Sequence, residues 1–113
     1  IEDGSTIQLG IGGLPNVVGS MIAQSDLKDI GVHTEMLADS YIEMYEAGRI
    51  TGKKKNIDKG KMVYTFAMGT KKLYDFLNNN PVCASYPVVS DILFAARPVG
   101  AANSIVCSSC SKN

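Results

Sequence analysis

The sequence has no apolar run approaching the ~18–20 residues that span a bilayer, and it has no basic excess. Lysine and arginine together number 11, as do aspartate and glutamate, so the formal net charge is zero. That balance argues against nucleic acid or an anionic membrane surface as partner, since both select for positive charge. No charged start followed by an apolar stretch marks a secretory signal. Histidine occurs once, at His33, and cysteine three times, at Cys83, Cys107 and Cys110. An odd cysteine count without a secretory signal does not describe a disulfide framework. Cys107-Ser-Ser-Cys110 has the spacing of a redox pair or half a zinc site. A zinc site needs two further ligands, however, and the single histidine is distant in sequence. Chance spacing in a Ser/Ala-rich tail is the better reading, and no metal site is expected.

What is present describes one small globular domain. The chain has 113 residues, of which 45% are hydrophobic and 19% charged, a length near the low end for a self-sufficient α/β core. It begins at Ile1 without a methionine, and a strand follows almost at once. It therefore reads as a fragment whose natural start is missing.

Asp3-Gly4 signals a turn. Thr6 to Leu9 is a short β-rich run that enters the loop Gly10-Ile11-Gly12-Gly13-Leu14-Pro15. Pro15 suits a first helical turn, and Val17, Val18, Met21 and Ile22 recur at helical spacing as an apolar face. Ser25 to Asp29 closes that helix, and Ile30 to Met36 is a second strand. Leu37 to Arg49 reads as helix, with Ile42, Met44 and Tyr45 packing and Gly48 as the stop. Ile50 to Gly60, with Lys53-Lys54-Lys55, reads as an exposed loop with solvated lysines. Lys61 to Met68 is the clearest strand. The helix after Gly69-Thr70 ends at Asn78-Asn79-Asn80-Pro81. Val82 to Val89 is a fourth strand, edge-like because of Pro87. From Ser90 onward no element can be placed.

The order β-α-β-α-β-α-β predicts an α/β fold: an open, mostly parallel sheet with alternating helices, in an incomplete domain. Residues 1–89 form the organised part and 90–113 an unmatched tail. Parallel sheets place ligands at the carboxyl ends of their strands. The glycine loop and Glu35 both fall there.

Glycines allow positive φ and a close approach of backbone to ligand, and the following helix N-terminus suits an anion or developing oxyanion. The pattern is nevertheless GxGGxP, not the dinucleotide fingerprint, and a tight strand-to-helix turn explains it equally well. Glu35 stands in an apolar strand, where burying a carboxylate is costly, with His33 two residues earlier on the same face. Read from the residues alone, Glu35 is an exposed strand-end acid and His33 a packed neighbour.

The combination LGIGGLP followed by GVHTEM resembles the acetyl-CoA hydrolase/transferase family of CoA-transferases. The flanks from DLKDIGVHTEM to CASYPV resemble the branch acting on butyryl-CoA and acetate, with 4-hydroxybutyrate CoA-transferases nearby. This resemblance covers Ile1 to about Val88. It implies that Glu35 is the nucleophile and that Gly10, Ile11, Gly12, Gly13 and Leu14 contact coenzyme A. CoA would be substrate and covalent intermediate, with no permanently bound cofactor. The implied reaction moves CoA between a short acyl-CoA and a carboxylate such as acetate through a glutamyl-CoA thioester. The implied partners are these substrates, with no nucleic acid and no membrane, in the cytoplasm of a fermenting cell, and homo-oligomerisation of the intact parent is left open. Alternatives are an acyl-CoA hydrolase of the same family, a non-catalytic nucleotide-binding module, or an inactive fragment. After Val89 the family's Asn/Asp-rich continuation and GTGGQ-like segment do not follow, so the tail reads as a shifted frame or a cloning junction. The piece alone is expected to turn over little.

Overall fold

A computed structural model describes residues 1–10 and 12–87, and the backbone of 104–107. The elements run β1 (Thr6–Leu9), α1 (Gly13–Gln24), β2 (Gly31–Leu37), α2 (Asp39–Glu46), β3 (Met62–Ala67), α3 (Lys71–Leu77), β4 (Cys83–Ser85) and β5 (Ser104–Cys107). The strands form one sheet in the order β4-β3-β2-β1-β5, and every neighbouring pair is parallel. The expected parallel α/β sheet is thus present, with a fifth strand where the sequence placed no element. Val88, Val89 and Cys110 lie outside the described residues, and the fourth strand occupies only Cys83–Ser85.

The first four strands are laid down in one direction across the sheet. Right-handed crossovers then place α1, α2 and α3 on the same face. The core confirms this. Ile7, Val32 and Met62 lie in one register row and pack in one cluster with Ile22, Ala23, Tyr41, Ile42, Met44 and Leu73 from the helices. Side chains alternate along a strand, so His33 and Glu35 stand on the opposite face, away from the helices.

Three local expectations are corrected. Of the expected face of α1, Ile22 is buried and Val18 packs against the core, but Val17 and Met21 are 56% and 65% exposed, and Pro15, Gly19 and Ala23 complete the buried face. Gly19 lies at the centre of that buried face. A Cβ there would stand 2.7 Å from the Ser40 Cβ and 3.3 Å from a Leu9 methyl, so the missing side chain lets α1 close onto α2. Gly19→Ala is expected to lose about 1–2 kcal/mol in urea unfolding. Overpacking costs ~1–3 kcal/mol, and the better helix propensity of alanine, up to ~1 kcal/mol, offsets only part of it.

The second helix is shorter than Leu37 to Arg49. Leu37 still pairs with Ala67 as strand, the helix runs Asp39–Glu46, and Gly48 follows in the left-handed region at φ 77°.

The third correction concerns Lys55, which is 4% exposed while Lys53 and Lys54 are solvated. Its ammonium donates to the Val32 carbonyl at 3.0 Å and the Lys61 carbonyl at 2.8 Å, pinning the loop across the starts of β2 and β3. Desolvation lowers its pKa from 10.5 to about 8, against the opposing charge of Asp58. Between those values the unfolded chain holds a proton that the folded chain has released. Stability should therefore rise as pH climbs from about 8 towards 10.5, since the side binding more protons is progressively disfavoured. Urea midpoints across that range, compared with those of Lys55→Met, check the slope.

Candidate functional site

The carboxyl edge of β1 and β2 gathers the sequence-predicted residues. The register pairs Thr6 with Gly31 and Ile7 with Val32, so β1 and β2 run parallel and the loop that follows Leu9 lies at the same sheet edge as Glu35. Glu35 is the one exposed residue of β2. Among the described residues, no hydrogen bond or ion pair engages its carboxylate. His33, one step back on the same face, is buried.

The glycine loop meets its helix at Gly12, the N-cap of α1, with φ 129° and ψ −178°. An L-side chain is strained in that region, so glycine is required there. Gly13 differs, because its φ is not positive and a Cβ added to it would meet nothing within 4 Å. Neither conformation nor packing within the described residues explains a glycine at Gly13. Leu14 is 62% exposed, and Ile11 lies outside the described residues. No side chain caps the start of α1 and its first turn holds no acid, so the partial positive charge of its N–H groups faces outward.

On the helix side of this edge a cavity of about 360 Å³ is lined by Gly12, Asn16, Met36, Asp39, Met68 and others. Glu35 is not among its walls, because Met36 points into it and Glu35 points the other way. A second cavity of about 380 Å³, lined by Gly48, Ile50 and Lys61 among others, lies at the opposite, amino edge. Of these two cavities lined by described residues, the one that takes in Gly12 does not include Glu35. Asp39 braces the rim. Its carboxylate accepts from the Thr70 N–H at 3.0 Å and from the Thr70 hydroxyl at 2.8 Å, tying the start of α2 to the loop after β3. No local pattern in the sequence marks Asp39 and Thr70, which are 31 positions apart, as a pair. No group of three or more His, Cys, Asp or Glu side chains suited to a metal occurs among the described residues. No helix among them is long and apolar enough to cross a membrane.

No protein-family model matches the chain. Over 88 residues it is 62% identical to the butyryl-CoA:acetate CoA-transferase of Anaerostipes caccae, covering 78% of this chain and 20% of that protein. Over 88 residues it is 64% identical to the probable butyrate:acetyl-CoA coenzyme A-transferase of Syntrophomonas wolfei, with the same coverage. The solved structure of the 4-hydroxybutyrate CoA-transferase from Porphyromonas gingivalis superposes with a TM-score of 0.73 at 49% identity, over 78% of this chain and 22% of that one. Likeness to an acetyl-CoA hydrolase of Yarrowia lipolytica is confined to 44 residues at 39% identity, 39% of this chain and 8% of that protein. The chain spans about a fifth of the length of the curated CoA-transferases it matches.

Proposed function

Over those 88 residues the chain is a homologue of CoA-transferases, and we propose that the protein containing it transfers CoA between butyryl-CoA and acetate, with Glu35 as nucleophile. One observation carries the reading: the stretch of high identity is the one that brings an exposed glutamate and a glycine-rich loop to the same carboxyl edge of a parallel sheet.

A Glu35 carboxylate oxygen attacks the thioester carbonyl and expels CoA thiolate, leaving a mixed anhydride of Glu35 and butyrate. The thiolate attacks the Glu35 carbonyl carbon, butyrate departs, and a glutamyl-CoA thioester remains. Acetate attacks that carbonyl and expels the thiolate again. The thiolate then takes the acetyl group as acetyl-CoA and frees Glu35. Each step conserves the activated acyl bond, so one difficult exchange becomes several easier ones. Water must be kept from the anhydride and the thioester. Glu35 is exposed in this chain, so that exclusion falls to parts of the protein beyond it.

The loop from Gly10 to Leu14 would lie against CoA, with the uncapped start of α1 nearby to favour developing negative charge. CoA is a substrate in this scheme. The setting is the cytoplasm of a fermenting cell. Incubating the full-length protein with butyryl-CoA, with and without acetate, tests the reading. Acetyl-CoA formed only with acetate supports transfer. Free CoA released equally without acetate would make the protein a hydrolase.

A further inference from the structure

Leu9 ends β1, and the glycine loop starts at the next residue. Backbone pairing of β1 with β2 is set at Thr6 and Ile7. At Leu9 side chains take over. The Leu9 N–H donates to the Tyr41 hydroxyl at 2.7 Å, and Tyr41 is wholly buried on α2. The Leu9 carbonyl accepts from the Thr34 hydroxyl at 3.4 Å. The same hydroxyl lies 3.1 Å from the Met36 carbonyl, and Thr34 is also wholly buried. Thr34 and Met36 are the two chain neighbours of Glu35. One buried hydroxyl has one hydrogen to offer, here shared between the residue that opens the loop and the residue that follows the glutamate.

We propose that Tyr41 and Thr34 are positioning residues that hold the glycine loop at a fixed distance from Glu35 by clamping Leu9 from both sides. This rests on Glu35 as nucleophile and the loop as the CoA contact. The thiolate must return to two carbonyls in turn, first the acyl and then the glutamyl carbon, so one loop-to-carboxylate spacing has to serve both. A misplacement of about 1 Å can cost ~100-fold in rate. Neither clamp is replaceable by water in so buried a place, and an orphaned Leu9 group would draw the loop out of position to find a partner.

Three variants of the full-length protein test this. Tyr41→Phe keeps the ring and removes the hydroxyl. Thr34→Val keeps volume and branching, whereas Thr34→Ser keeps the hydroxyl and loses a methyl. The clamp predicts that Tyr41→Phe and Thr34→Val lower kcat about 10-fold or more with KM for acetate little changed, and that Thr34→Ser retains more activity than Thr34→Val. A packing role predicts the reverse order, and that order overturns the proposal. Should Thr34→Val fail to fold, amide exchange at Leu9 and Gly10 in Tyr41→Phe decides: faster exchange supports the clamp and unchanged exchange overturns it. Glu35→Gln run beside them separates the two claims. Exchange surviving in Glu35→Gln removes the nucleophile reading and the clamp's purpose with it. An inactive Glu35→Gln beside fully active Tyr41→Phe and Thr34→Val removes only the clamp.

Discussion

Glu35→Gln in the full-length protein should lower CoA exchange by about 10⁴-fold or more while leaving the fold intact. The carboxamide keeps the size of the side chain but has no anionic oxygen to attack a thioester, and removing a covalent nucleophile costs on this scale in other enzymes. The side chain is exposed and among the described residues has no ion pair to lose. Its replacement should therefore move stability by less than about 0.5 kcal/mol. Activity assays paired with thermal melts check both halves. A variant that still exchanges acyl groups would move catalysis elsewhere and leave the glycine loop as a binding element alone.

Two adjacent glycines should respond in opposite ways, because the structure gives them different reasons to be glycine. Gly12→Ala forces a side chain into a backbone state at φ 129°, which costs about 1–3 kcal/mol in stability. Gly13→Ala meets nothing within 4 Å and stands at an ordinary first helical position, so its melting behaviour should match the parent. If CoA lies against this loop, Gly13→Ala and Gly13→Val should nonetheless raise KM for acyl-CoA about 10-fold or more, the larger side chain having the larger effect. Unchanged KM in both Gly13 variants would mean the coenzyme passes elsewhere. Loss of stability in Gly13→Ala would mean its glycine serves the fold.

The parallel sheet was legible because β1, β2 and β3 are short β-rich runs and glycine, proline or asparagine punctuates the chain at Gly10–Pro15, Gly48, Gly69 and Asn78–Pro81. Helix faces were less legible. Apolar spacing favoured Val17 and Met21, yet the face of α1 that packs is centred on Gly19, a residue that hydrophobic periodicity cannot weigh. Nothing in a run of three lysines distinguishes Lys55, whose ammonium meets two backbone carbonyls, from its solvated neighbours. Tyr41 is silent in the sequence for a similar reason. Its ring belongs to an ordinary apolar face, and only the fold brings its hydroxyl to the Leu9 N–H. The strand at Ser104–Cys107 sits in a stretch without firm periodicity and is defined by its pairing with β1. Glu35 illustrates a different limit. Its exposure is what its local sequence suggests for an unremarkable acid, although it stands within β2 rather than at its end, with Met36 and Leu37 still paired after it, so geometry alone does not mark it as reactive. The glycine loop at the same sheet edge, the unexplained Gly13 and the likeness to CoA-transferases supply the chemical reading.

The most direct measurement is a covalent one. Full-length protein is incubated with butyryl-CoA in the absence of acetate, treated with borohydride, digested and analysed by mass spectrometry. A glutamyl-CoA thioester at Glu35 would be reduced to the alcohol, and the peptide spanning Gly31 to Leu37 would carry that change at Glu35 only when butyryl-CoA was present. An unmodified Glu35 in protein that is actively exchanging CoA would contradict the account.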